Sequence, residues 1–260
     1  PTACEKTLEG HGQIVRAVAQ LGDDTLISGS ADETIKVWRV STGACERTVQ
    51  IGSWVRSMQL FGEKIYIGTS AGSIEVWDKA SWTRERTLEG HTVEVGALIM
   101  VGDLLVSSSA DNTCRVWNPT TGACEHMLEG HMSSVWSLAL CHGTLASGSY
   151  DHTIKLWNTT SWTCEHTLEG HTHYVMALAV HGDKLVSGSN DRSIKVWAQS
   201  AAGWACERTL DLGSSVWSLL MCGDKLVAGL YNGSIVVKST EGEWETERTL
   251  TGHGNAVETL

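Results

Sequence analysis

Thr7-Leu8-Glu9-Gly10-His11 spells TLEGH, and the same five letters return at 87–91 and 167–171. Near-copies stand at 127–131 (MLEGH) and 249–253 (TLTGH), and blurred copies without the histidine begin at Thr48 (TVQIG) and Thr209 (TLDLG). Successive starts at 7, 48, 87, 127, 167, 209 and 249 are therefore 39 to 42 residues apart. A fixed period near forty means that one supersecondary unit is used repeatedly. A unit that small buries its apolar face only by stacking on its neighbours.

Within one period the pattern is short apolar alternation broken by turn residues, never a 3.6-residue stripe. In the first unit, Ile14-Val15-Arg16-Ala17-Val18 reads as a strand and Gly22-Asp23-Asp24 as a hairpin turn. Thr25 to Ser30 reads as a second strand, Ala31-Asp32-Glu33 as a tight turn, and Thr34 to Trp38 as a third strand. After a turn at Ser41-Thr42-Gly43, Ala44 to Val49 is the fourth and leads into the next copy. The two prolines, Pro1 and Pro119, interrupt no strand. Four short strands rich in Val, Ile, Thr and Trp make an antiparallel meander, and radial repetition of such a sheet is the β-propeller solution. The expectation is an all-β chain forming a single β-propeller domain over residues 1–260.

Composition narrows the function. A formal net charge of −11 argues against coating nucleic acid, which needs a basic surface. No apolar run approaches the ~20 residues of a membrane span, and the first residues lack the blocks of a signal peptide. Of eight cysteines, Cys4, Cys45, Cys124, Cys164 and Cys206 recur at one repeat position, in ACE or TCE. Equivalent positions on different units point the same way and do not meet, so these read as small half-buried residues in a reducing, cytoplasmic setting. There is no CxxC pair, and neither a metal nor another cofactor is expected.

A GH pair, then SGSxD about half a repeat later, then TIKVW, resembles the WD-repeat propeller family, and the likeness runs through the whole chain. The resemblance implies a hydrogen-bonded tetrad inside each blade: the GH histidine, a Ser of the second strand, the Asp of the tight turn and the Trp of the third strand. Carried over by position, the tetrads are His11, Ser28, Asp32 and Trp38; His91, Ser107, Asp111 and Trp117; His131, Ser147, Asp151 and Trp157; and His171, Ser187, Asp191 and Trp197. The second unit keeps only Trp77, with Ile67 and Ala71 in place of Ser and Asp. The sixth has Ala228, Asn232 and Lys238 instead. Those two are expected to rely on packing and strand pairing alone. The clipped Gly-Asp hairpin turns are similar to those in propellers of F-box and RING-type ubiquitin ligases and of myosin heavy chain kinases.

Six units are complete, and material is left over at both ends. Thr2 to Leu8 repeats the outer-strand motif, and Gly252-His253 to Leu260 repeats the GH turn and innermost strand. In the family these two ends complete one blade. A seven-blade register with an incomplete closing blade is therefore expected, the sequence being a fragment of the roughly 280 residues seven repeats require. A six-blade ring with surplus ends is the alternative. The incomplete closing blade would leave strand edges bare and invite self-association.

No Gly-rich phosphate loop occurs, and a Ser-His-Asp set repeated four times is not a unique active site. The expectation is a protein that is not an enzyme. The positions that vary lie at one end of each unit: just after the first Val of the innermost strand, two residues earlier, and just before the tight-turn Asp. They bring up Arg16, Trp54, Arg56, Trp136, Tyr150, Tyr174, Met176, Trp217 and Tyr231. Trp, Tyr and Arg dominate binding hot spots, and in the resembled family this end face binds peptides. The reading is a scaffold or substrate-recognition module for a protein or peptide partner. The alternative is a ubiquitin-ligase phosphopeptide receptor with Arg16 and Arg56 as the anion clamp. Trp82, Trp162, Trp204 and Trp244 fall near the outer strands, where rim packing is expected.

Overall fold

Alternation of apolar and polar residues between Gly/Asp turns resolves into strands almost where the sequence places them. In the computed structural model, which describes residues 6–201 and 203–260, the first sheet comprises β1 (Val15–Gly22), β2 (Thr25–Ser30), β3 (Thr34–Arg39) and β4 (Ala44–Gln50), paired antiparallel in that order. Five more four-stranded sheets of the same order follow, beginning at Val55, Val95, Val135, Val175 and Val216. Among the described residues the chain is all-β, with six blades. Blades one to three belong to a compact unit of residues 6–127, and blades four to six to a second unit of residues 128–260.

Inside each unit the blades share their cores. Ile27, Ile35 and Val37 of the first sheet pack with Val55, Ile65 and Ile67 of the second. Val186, Ile194 and Val196 of the fifth pack with Val216 and Leu226 of the sixth. Gly29, Gly68, Gly148 and Gly188 on the second strands let Val55, Val95, Val175 and Val216 of the next blade seat directly against backbone. All four valines are fully buried. Each contributes about 1.5–3 kcal/mol by leaving water.

The outer strands carry the exposed edge. Cys45, Cys124, Cys164 and Cys206 are free and exposed rather than half-buried, each lying on the fourth, outermost strand of its sheet. Cys4 lies outside the described residues. Trp162 and Trp244 are buried at the turn into the fourth strand, in left-handed conformations with φ of 57° and 58°. Trp82 packs on the core of the first two blades and Trp204 on that of the fourth and fifth.

The expected seventh sheet is not formed among the described residues, so the six-blade alternative describes the sheets. The outer strand expected at Thr2–Leu8 lies partly outside the described residues. Lys6 Nζ donates to the carbonyls of Val40 and Ser41 at 2.9 and 2.6 Å. Lys6 and Leu8 flank Gly43 as Arg86 and Leu88 of the second sheet flank Gly122 of the third. Residues 251–260 form no strand among the described residues, yet Val257 N–H donates to Leu230 O at 3.1 Å and Val257 covers Gly229. Lys6 to Leu8 thus hold an outer-strand position within the first unit and residues 256–260 an inner-strand position within the second, neither pairing into a ladder among the described residues.

Candidate functional site

The tetrads come first because they hold the turns that form the end of each blade. In the fourth blade His131 Nδ1 meets Asp151 Oδ2 at 2.7 Å and Nε2 meets Ser147 Oγ at 2.8 Å. Trp157 Nε1–H donates to the same Ser147 Oγ at 2.8 Å. Since Asp accepts only and the indole donates only, the consistent assignment runs Trp to Ser to His to Asp, with the imidazole proton on Nδ1. His11, His91 and His171 make the same contacts with Asp32, Asp111 and Asp191 and with Ser28, Ser107 and Ser187, and Trp38, Trp117 and Trp197 donate likewise. Burial opposes the charge of Asp111, but hydrogen bonds from His91 and Thr113 outweigh it and hold the carboxyl well below its ordinary range. These histidines are committed to structure.

The two blades without tetrads do not rely on packing alone, contrary to expectation. In the second, Trp77 Nε1–H donates to Glu75 Oε2 at 2.8 Å, and Arg84 pairs with the other carboxylate oxygen at 2.9 Å. Glu75 is buried where the tetrad blades carry a lysine or arginine. In the sixth, Lys238 fills the tryptophan position and donates to Trp244 O and Thr246 Oγ1 at 3.2 and 2.9 Å. Burial lowers the pKa of its ammonium. With Ile67 in the serine position the half-buried Trp77 indole has no hydroxyl acceptor there, and a carboxylate two residues away on the same strand supplies one.

Register explains how the rim residues are presented. In all six sheets the innermost strand slips by one residue against the second, and the extra residue is Arg16, Arg56, Gly96, Trp136, Met176 or Trp217. A β-bulge turns its extra residue out of the ladder. A second bond pins the neighbouring turn: Tyr150 N–H donates to Ser134 O, Asn190 to Tyr174 O and Tyr231 to Ser215 O, each at 2.9 Å. Each blade thus brings its bulge residue and its turn residue to one end.

Within residues 128–260 these positions assemble an aromatic strip. Trp136 and Tyr150 have ring centroids 5.5 Å apart, and Tyr150 stacks on Tyr174 of the next blade at 4.0 Å with 12° between planes. His173 meets Tyr174 edge-on at 4.2 Å, and His152 stacks on His173 at 5.7 Å. Trp217 and Tyr231 form a separate pair at 5.5 Å, with Tyr231 60% exposed. Met176 is half-buried. The sequence reading missed His152 and His173. Their signal lay in two repeat columns, the residue after the tetrad Asp and the second residue after the GH histidine, where these adjacent blades both place imidazoles.

Within residues 6–127 the arrangement differs. Trp54 is 42% exposed, and Ile14 and Val93 of the neighbouring blades are exposed as well. Arg56 is paired with Glu94 of the next blade, both side chains largely buried. That corrects the anion-clamp reading, because Arg56 already carries its counter-charge. Arg16 is half-buried at its bulge.

Comparison with known sequences agrees with this anatomy. Residues 2–39, 82–118, 122–158 and 162–198 match the WD40 model, described as WD domain, G-beta repeat. Together they make up more than half of the chain, and each segment ends one residue beyond a tetrad tryptophan. The chain is similar to Mitochondrial division protein 1 of Sclerotinia sclerotiorum, 32% identical over 120 residues, covering 35% of this chain and 18% of that protein. It is also similar to nuclear distribution protein nudF of Aspergillus niger, 38% identical over 91 residues, covering 33% and 20%. Zinc finger CCCH domain-containing protein 17 of Oryza sativa subsp. japonica is 33% identical over 105 residues, covering 40% and 24%. The matched part spans less than a quarter of each relative's length. With four tetrads in place and the model matching the repeats that hold them, the chain belongs to the WD40 (WD domain, G-beta repeat) family.

Proposed function

We propose that this protein is a non-catalytic interaction scaffold that binds an extended peptide segment across the strip formed by Trp136, Tyr150 and Tyr174. The observation that carries the reading is the stack of Tyr150 on Tyr174 across two neighbouring blades, continued by Trp136. Both tyrosines and Trp136 are only half-buried, so the strip keeps apolar ring area in contact with water. Rigid aromatic side chains lose little rotamer freedom on binding and are enriched among hot spots. The bulge at Trp136 and the pinned turn at Tyr150 hold the platform before a partner arrives, which lowers the ordering cost of association. The repeated tetrads leave no Ser-His-Asp set free for chemistry.

The test is affinity capture from a lysate with mass spectrometry, comparing the wild type with Trp136→Ala/Tyr174→Ala, followed by titration of the captured partner. Folding of the variant is checked by near-ultraviolet circular dichroism. Capture is expected to fail in the variant, with affinity for the purified partner down at least about 30-fold, since hot-spot truncations cost about 2 kcal/mol or more. Equal capture by a folded variant would overturn the proposal.

A further inference from the structure

Tryptophan fills one column of the repeat in four blades, and the third blade has glycine there. Trp82, Trp162, Trp204 and Trp244 each stand two residues before the outer-strand residue that pairs with the third-strand tryptophan or its substitute. Trp82 packs on the core of the first two blades, with the Arg47 guanidinium 5.9 Å from its ring centroid. Trp244 packs on the core of the fifth and sixth and meets His181 edge-on at 5.6 Å. In the third blade the position is Gly122. No ring reaches from it to the second blade, and the junction of those two blades keeps a cavity of about 600 Å³. Phe61, which ends its innermost strand as His181 does, lines that cavity and is 43% exposed. Arg86, in the register position of Arg47, has no ring to cover and donates to the carbonyls of Pro119 and Thr120. Tyr66 stands where the other second strands carry Ile27, Val106, Ala146, Val186 and Val227. It is 4% exposed and lines the cavity, yet its hydroxyl has no hydrogen-bonding partner among the described residues. Lys64, Glu85 and Arg86 act on that hydroxyl and line the same cavity, so it faces inward. Buried hydroxyls are rarely left unpaired.

We propose that this cavity is a receptor for a tryptophan side chain carried by a different polypeptide, seated between the second and third blades as Trp82 and Trp244 are seated at their own junctions. Phe61 and Pro119 give the indole its apolar walls, the Arg86 guanidinium covers a ring face, and the Tyr66 hydroxyl accepts from the indole N–H. An aromatic side chain brings a large apolar area, and a guanidinium over its face adds a cation–π attraction. The carboxylates of Glu63, Glu85 and Asp103 also line the cavity, with Glu63 paired to Lys79 and Glu85 to Lys64. They disfavour an anionic ligand, so the indole arrives within a neutral or basic segment of chain rather than as a free amino acid with its own carboxylate. The cavity lies by the hairpin that ends the innermost strand of the second blade, away from the bulges, and every residue of it belongs to the unit of residues 6–127. It is therefore a site separate from the aromatic strip of residues 128–260.

The probe is the blocked tripeptide acetyl-Lys-(5-fluorotryptophan)-Lys-amide, titrated with the full chain and followed by fluorine NMR. A saturable shift is expected. Gly122→Trp places the chain's own ring in the cavity, at a turn whose φ of 82° is left-handed like the 57–58° of Trp82, Trp162 and Trp244. This variant is expected to weaken the peptide at least about tenfold and to raise the thermal unfolding midpoint by a few degrees, as added apolar burial does. Tyr66→Phe keeps the packing and removes the hydroxyl, and is expected to weaken binding several-fold, as loss of one hydrogen bond implies. Trp136→Ala/Tyr174→Ala should bind the peptide as the wild type does. Absence of saturable binding, or binding indifferent to both Tyr66→Phe and a folded Gly122→Trp, would overturn the proposal. Loss of binding in Trp136→Ala/Tyr174→Ala would do so too, by placing the peptide on the strip. Free L-tryptophan binding more tightly than the peptide would make a small molecule the occupant, and wild-type dimerisation in sedimentation that Gly122→Trp abolishes would make it a second copy; either result overturns the proposal.

Discussion

Ser147 shows how much one hydroxyl carries. It accepts from Trp157 and donates to His131, so Ser147→Ala strands two buried ring nitrogens at once. Each stranded group costs about 1–3 kcal/mol, and the urea midpoint of the variant should fall accordingly with its slope unchanged. The aspartates give the tetrads a pH signature. Burial opposes the charge of Asp151, but hydrogen bonds from His131, Thr153 and the Met132 N–H overcome it, and Asp32, Asp111 and Asp191 are held low in the same way. Their unfolded values are near 3.9, so on acidification the unfolded state takes up protons first. The stabilisation is complete above that value and is lost as pH falls below it toward the depressed folded values. Urea unfolding between about pH 5 and pH 2 should therefore show a falling midpoint. Asp111→Asn should start lower and fall less steeply, since one of the four linked groups is gone. A variant with the wild-type slope would refute the linkage.

At the scale of the strand, the second-strand glycines and the substitute contacts decide how blades behave. A Cβ on Gly148 would lie 2.5 Å from Ser137 Oγ and 2.7 Å from Val175 Cγ1, both held by the sheet. Gly148→Ala is expected to cost about 1–3 kcal/mol as an overpacked core does, read by urea unfolding. In the second blade Glu75→Ala removes the acceptor of Trp77 and the partner of Arg84. Hydrogen exchange should then speed up in strands Lys64–Thr69 and Ile74–Asp78 while β2 and β3 keep their protection. Uniform acceleration through both blades would mean that Glu75 supports the unit rather than its own sheet.

For the molecule as a whole, the four-strand repeat sets which groups meet solvent. Outer strands present Cys45, Cys124, Cys164 and Cys206, and Cys222 ends the innermost strand of the sixth sheet, exposed. Cys114 and Cys141 are buried, and burial, aided by the charge of Asp183, raises the Cys141 thiol. Brief alkylation of the native protein, mapped by mass spectrometry, should label the five exposed thiols and reach Cys114 and Cys141 only after denaturation. Labelling of Cys141 at the rate of Cys164 would contradict the packing of the fourth blade. The net charge of −11 sets a repulsive field toward anionic surfaces.

Much of this was legible in the letters. Strand positions, sheet order and the tetrad residues recur with the period, because each repeat encodes contacts within itself and with the next copy, and repetition displays the pattern several times. The rewired blades were not legible: Glu75 sits in a column of half-buried cations, and only its burial beside Trp77 makes it an acceptor. The cysteines looked half-buried by type, and position on an uncovered outer strand exposed them. The period-forty sequence by itself determined the blade, its four strands and the histidine that closes its turn. Tertiary structure alone decided that Tyr150 stacks on Tyr174 and that Arg56 is neutralised by Glu94. Those outcomes depend on bulge geometry and on which side chain of a neighbouring blade arrives within reach, and local sequence does not carry either.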